Sequence, residues 1–159
     1  MRAHPIKPPQ WIATAPILNE ATVFIAASPE RVWELIADNE GWPRWYRELS
    51  KVETTRAPAG VGGGRRATAG KIVLEETFTA WDAPSHWALS IVGSTIPILA
   101  AGGGEVLIKP SKGGCQVTYR QAMQGRPGFG WLLRLANRQG QQKLQRTLGR
   151  LRDLAQAAS

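Results

Sequence analysis

Cysteine and histidine are almost missing from this 159-residue chain. Cys115 stands alone, so neither an intramolecular disulfide nor a cysteine-based zinc site can form. His4 and His86 are the only imidazoles, one in a proline-rich tail and one at the start of a predicted strand. A protein-held transition metal is not expected, a Ser-His-Asp triad finds little support, and no cofactor is assigned. Long apolar runs are missing too: none approaches the ~20 residues that cross a bilayer. The N-terminus, MRAHPIKPPQW, has no apolar stretch of signal-peptide type, so the cytoplasm is the expected location. Carboxylates are scarce in one part only. Residues 1–108 hold 10 Lys/Arg and 11 Asp/Glu, a net of −1, whereas residues 109–159 hold 10 Lys/Arg against Asp153, a net of +9. Such asymmetry marks either a solvated helix face or contact with an anionic surface.

What is present suffices for one folded domain. The apolar fraction of 43% is that of a globular protein, and a chain of this length buries roughly two-thirds of its unfolded surface. Residues 1–19 carry Pro5, Pro8, Pro9 and Pro16 and read as an extended arm that Trp11 and Ile12 pin to the surface. Residues 20–159 read as the domain. A first strand over 20–27 is followed by Ser28 as N-cap, Pro29 at the first helical position and Glu30 at the positive end of the helix dipole. Asp38, Asn39 and Gly41 end that helix, and Pro43 opens a second short turn carrying Trp42, Trp45 and Tyr46.

Strand-like segments follow at 49–56, 65–70, 72–81, 87–92, 105–108 and 116–123. Gly102-Gly103-Gly104 breaks the run before Glu105, as a bulge or bend in a long strand would. From about Gly128 to Ala157, apolar residues recur at spacings of three and four, predicting one long amphipathic helix with a weak point at Gly140. With no companion helix of similar length, its apolar stripe must lie on the sheet.

Three segments resemble a known family. SPERVWELIADNEGWPRW, WDAPSHWALSI and GGCQVTYRQAM, in this order, are similar to the helix corner, the strand–Asp–Pro–strand turn and the last strand of the START-like superfamily. This is the polyketide cyclase/dehydrase and lipid-transport group, also called SRPBCC. Cys115 departs from the family pattern, where Thr is common. The resemblance covers roughly residues 20 to 156. It implies an α+β helix-grip fold: a curved antiparallel sheet of about seven strands around a long C-terminal helix, with two short helices after the first strand. The gap between sheet and helix would be a ligand cavity. The family has no universal catalytic signature, so no catalytic residue is carried over.

Strand alternation selects the side chains that would face that gap. On 72–81 these are Ile72, Leu74, Glu76, Phe78 and Ala80; on 87–92, Trp87, Leu89 and Ile91; on the last strand, Val117, Tyr119, Gln121 and Met123. From the corner come Trp33, Trp45 and Tyr46, and from the helix Trp131, Leu132, Ala136, Asn137 and Gly140. The expected wall is aromatic and aliphatic with a few polar groups, as in a ligand pocket; a packed core would use the same aliphatics. Glu76 is the candidate catalytic acid or base if it faces a dry cavity. A register slip of one would place Glu75 there, and either carboxylate can instead pair with Arg65 or Arg66. Tyr119, Gln121 and Asn137 would orient a carbonyl or hydroxyl.

The leading reading is non-covalent binding or transport of a small hydrophobic molecule: a lipid, quinone, sterol or polyketide. The second is an aromatase/cyclase-type or hydrolase-type enzyme using the same cavity. A third is a regulatory protein acting through the basic helix and the arm. The arginines also suit an anionic membrane surface. Nucleic acid is disfavoured as a partner, because the aromatics sit mainly outside the basic region.

Overall fold

The structure, a computed structural model, describes residues 1–157. It contains strands β1 (Arg2–Ala3), β2 (Ile17–Ile25), β3 (Lys51–Arg56), β4 (Gly64–Ala69), β5 (Ile72–Asp82), β6 (His86–Ser94), β7 (Leu99–Ser111) and β8 (Gly114–Gly125). The helices are α1 (Pro9–Ile12), α2 (Pro29–Ala37), α3 (Gly130–Ala136) and α4 (Gly140–Ala157), with a 3-10 turn over Asn39–Arg44. All strand pairings are antiparallel, in the order β2-β8-β7-β6-β5-β4-β3, and β1 is added alongside the end of β6. This is the α+β helix-grip arrangement the sequence implied.

The corner forms as expected. The Ser28 hydroxyl accepts from the Arg31 N–H at 3.1 Å, and Pro29 needs no partner for a missing donor. Val32, Trp33, Leu35 and Ile36 of α2 are buried. Trp42 then turns inward, its indole N–H donating to the Ile36 carbonyl at 2.9 Å. On α4, Leu144, Leu148, Leu151 and Ala155 form the stripe that closes the core against the sheet. Each fully buried leucine contributes about 1.5–3 kcal/mol.

Two expectations need correction. The C-terminal helix is not continuous: α3 ends at Ala136 and α4 begins at Gly140. Asn19 of β2 and Asn137 exchange amide hydrogen bonds at 3.1 and 3.2 Å, which draws the hinge down onto the edge strand. A Cβ on Gly140 would sit 2.4 Å from Asn137 Oδ1, so the residue at this tight approach must be small. The strand expected at 105–108 is longer: β7 runs through the triple glycine, as a long strand would, but its irregularity lies between Leu99 and Ala101 and not at the glycines.

The N-terminal segment lies on the convex face. Ile12 is fully buried there with Ala80, Ala88 and Ala122. Gly103 makes room for it: a Cβ at that position would lie 2.8 Å from the Leu89 carbonyl and 3.5 Å from Ile12. The boundary expected at residue 19/20 falls inside β2. Residues 158 and 159, expected in the domain, lie outside the described residues.

Candidate functional site

A cavity of about 360 Å³ lies between the concave sheet face and the α3–α4 segment. Its walls are largely aliphatic, from Leu49, Leu74, Leu89, Ile91, Leu99 and Leu144. Ile72, Glu48, Ala136 and Lys143 line it yet are exposed, so they mark its rim. A volume near the lower end of the ~300–1,000 Å³ common for small-molecule sites suits a compact occupant.

The polar groups converge on one wall. Arg65 on β4 pairs across the strands with Glu76 on β5, and Arg66 with Glu75. Because successive residues point to opposite faces, this register puts one opposite-charge pair inside and one outside. The outer pair, Arg66 to Glu75, is 2.6 Å long and solvated. The inner pair is almost inaccessible, with side-chain exposures of 3% and 5%, and its Nε–Oε1 separation of 3.4 Å is an ion pair without hydrogen-bond geometry. The Arg65 guanidinium lies 4.0 Å from the Trp42 ring centroid and 5.1 Å from that of Trp87. These rings supply cation–π attraction in place of water. Arg65 Nε and Nη1 and Glu76 Oε1 are buried without a hydrogen-bond partner among the described residues. Buried polar groups are normally hydrogen-bonded, so three such atoms in one ion pair behind a cavity wall set this pair apart from the aliphatic lining.

Burial raises the Glu76 pKa, opposed by the attraction of Arg65. Burial likewise raises Tyr119 and Tyr46, so both stay neutral phenols. Gln121 Nε2 donates to the Tyr46 hydroxyl at 2.7 Å. Tyr46, Tyr119 and Gln121 thus add hydroxyl and amide groups to the Arg65–Glu76 wall. Together they can hold a ligand oxygen, or hold and move a proton.

Of the side chains selected from sequence, Tyr46, Leu74, Glu76, Leu89, Tyr119, Gln121, Met123, Ala136 and Asn137 line the cavity. Five do not. Trp87 lies under Arg65, Phe78 packs on Trp81 and Trp87, and Trp45 packs against Trp42. Trp33 meets Trp81 edge-on in the core. Trp131 is 67% exposed on α3, whose buried residue is Leu133 instead. Ala80, expected on the concave face, is on the convex one, since the register shifts between Phe78 and Ala80. Trp42 and Arg65 were missed as site residues. Arg65 shares strand parity with buried Ala67, a signal that its charge had obscured. Among the described residues, no three His, Cys, Asp or Glu side chains cluster as a metal site. No helix among them is long and apolar enough to cross a membrane.

Known proteins share this architecture. The family described as polyketide cyclase / dehydrase and lipid transport matches residues 18–156. An uncharacterised protein of Mycobacterium tuberculosis is 32% identical over 113 residues, spanning 70% of this chain and 68% of its own length. A crystal structure from Thermus thermophilus superposes with a TM-score of 0.74 at 25% identity, covering 90% of this chain and 99% of that one. The Zhui aromatase/cyclase of a Streptomyces species gives 0.72 at 19% identity, with 88% and 93% covered. A START superfamily protein of Mycobacterium smegmatis gives 0.69 at 16% identity, with 86% and 98% covered; these last two likenesses concern the fold. With the family match running from the first long strand to the end of α4, the chain belongs to the polyketide cyclase/dehydrase and lipid-transport family.

Proposed function

We propose that this protein binds a compact hydrophobic molecule non-covalently, with an oxygen of that molecule accepting hydrogen bonds from Arg65. The observation that carries this reading is the buried Arg65–Glu76 pair in the lining of an otherwise aliphatic cavity, with Arg65 Nε ion-paired but not hydrogen-bonded and Nη1 without a hydrogen-bond partner among the described residues. A carbonyl, phenol or enolate oxygen on a ring system meets both requirements. Quinones, polyketides and oxygenated sterols are of this class, and the modest volume disfavours a two-chain lipid. The aliphatic walls would drive uptake, and the polar wall would fix orientation. Replacing Arg65 by Met keeps the apolar stem and removes every donor. It should weaken binding of an oxygen-bearing ligand far more than that of a pure hydrocarbon of the same shape. Equal losses for both would refute the role of Arg65.

A second reading, an aromatase/cyclase-type enzyme, is favoured by one observation: Glu76 is a buried carboxyl of raised pKa facing two neutral tyrosines. Such a group would donate a proton to, or accept one from, a ligand that the cavity has already oriented. Turnover of a reactive poly-β-carbonyl substrate that vanishes in Glu76→Gln, while binding persists, would support it. Equal rates for the two proteins would refute it.

A further inference from the structure

The most exposed aromatic ring on an otherwise well-packed molecule is Trp131, on a short helix beside the cavity rim. Trp131 is 67% exposed, its helical neighbour Leu135 is 52%, and Phe129, one residue before the helix, is 46%. Trp131 and Leu135 are four residues apart on α3 and share a face, with Arg134 on the same helix and Arg138 just beyond its end. Both arginines and Lys143 are exposed and form no ion pair among the described residues. No carboxylate occurs in the sequence between Glu105 and Asp153. On the outer side of the hinge, a depression of about 380 Å³ is lined by Leu135, Ala136, Arg138, Gln139 and Lys143. It shares Ala136 and Lys143 with the cavity rim. Glu48 is an exposed acidic residue of that rim.

We infer that α3 is a docking face for an anionic phospholipid bilayer. The chemistry of the patch divides in two. Trp, Phe and Leu on one side seek the boundary between headgroups and acyl chains, where an amphipathic ring is most stable. Arg134, Arg138 and Lys143 on the other side meet lipid phosphates, and the depression between Arg138 and Lys143 seats one headgroup. The patch is too short to span and too sparse in apolar area to bind strongly alone, so docking is reversible and depends on negative lipid. The rim residues Ala136 and Lys143 would then face the bilayer, giving an apolar molecule a short path into the cavity. This last consequence rests on the ligand-binding reading; the docking face itself does not.

Vesicle flotation tests the inference directly. Wild-type protein should float with vesicles of phosphatidylcholine mixed with phosphatidylglycerol, and not with pure phosphatidylcholine. Raising salt from about 0.1 M to about 1 M should release it. Each cation near an anionic leaflet contributes about fivefold in binding, so Arg134→Gln with Arg138→Gln should weaken it roughly 30-fold. Trp131→Ser should weaken it roughly tenfold or more at unchanged charge. The control is Lys109→Gln with Lys112→Gln, an equal charge loss at the other end of β8, which should change binding less than about twofold. Equal losses in control and test variants would overturn the inference in favour of a diffuse charge effect. So would an unaffected Trp131→Ser, absence of flotation on either vesicle, or retention on nucleic acid without vesicle binding. Uptake of anilinonaphthalene sulfonate in vesicle-free buffer separates the two proposals: the α3 variants should retain it, and its loss in wild-type protein would speak against the cavity reading instead.

Discussion

Breaking the Arg65–Glu76 pair should cost far more stability than removing it whole. Both side chains are nearly inaccessible, the guanidinium lies against Trp42 and Trp87, and the separation is 3.4 Å. Arg65→Met leaves a buried carboxylate with no counter-ion, and Glu76→Gln leaves a buried cation with a neutral amide and two ring faces but no counter-ion. Each single change should cost about 3–5 kcal/mol, the usual penalty for orphaning one partner of a buried pair. Replacing both, as Arg65→Met with Glu76→Leu, removes the charges together and should cost much less than the sum of the singles, or even stabilise. For a chain of this length 1 kcal/mol is about 2–4 °C in Tm, so each single variant should melt roughly 6–20 °C below wild type. The pH dependence has a definite sign. Burial raises the Glu76 pKa above its unfolded value, so its contribution is fully present below the unfolded pKa and is lost as pH rises through the folded one. Arg65→Met removes the attraction that opposes that rise, so the loss should move to higher pH and deepen. Thermal or urea unfolding of the four proteins across pH completes the cycle. Single variants within about 1 kcal/mol of wild type, with additive effects in the double, would show that water already solvates the pair and that it is not a buried ion pair.

Other consequences concern packing and the hinge. Trp42→Ala removes a fully buried ring that carries the guanidinium and should cost about 3–5 kcal/mol in chemical denaturation. Trp131→Ser, by contrast, should stay within about 0.5 kcal/mol, since its ring is mostly in water. Gly140→Ala sets about 1 kcal/mol of helix propensity against a Cβ lying 2.4 Å from Asn137 Oδ1 and 2.5 Å from Asn19 Nδ2. Loss of the two amide hydrogen bonds, about 1 kcal/mol each, should leave a net destabilisation that calorimetry detects.

The elements that local rules govern were legible in the sequence. Ser28-Pro29-Glu30 marks a helix start because capping, φ restriction and the dipole all act within one turn. Alternation on β5 correctly faced Leu74 and Glu76 inward, because parity survives wherever the ladder is regular. It failed at Ala80, where a shift in register reverses parity and no single residue announces it. The break at residues 137–139 was legible only as a weak point at Gly140, for a related reason. Apolar spacing runs straight through it, and the decisive contact is with Asn19, 118 residues away. Aromatic residues were the least legible. All seven tryptophans suit either core or cavity by chemistry, and only the 3-10 turn decides that Trp42 reaches the cavity while Trp45 lies behind it. Arg65 was passed over because an isolated positive charge reads as surface. Its burial depends on Glu76 and two indole rings brought from β5, β6 and the corner.

The most direct test of the central claim is native mass spectrometry of freshly purified wild-type protein beside Arg65→Met, with solvent extraction of whatever is bound. Wild type should carry a discrete mass adduct that extracts as a hydrophobic molecule bearing a carbonyl, phenol or enolate oxygen, and occupancy should fall in Arg65→Met. A bound saturated hydrocarbon chain held equally by both proteins would contradict the claim, as would a ligand-free wild type that no oxygen-bearing hydrophobe stabilises against thermal unfolding.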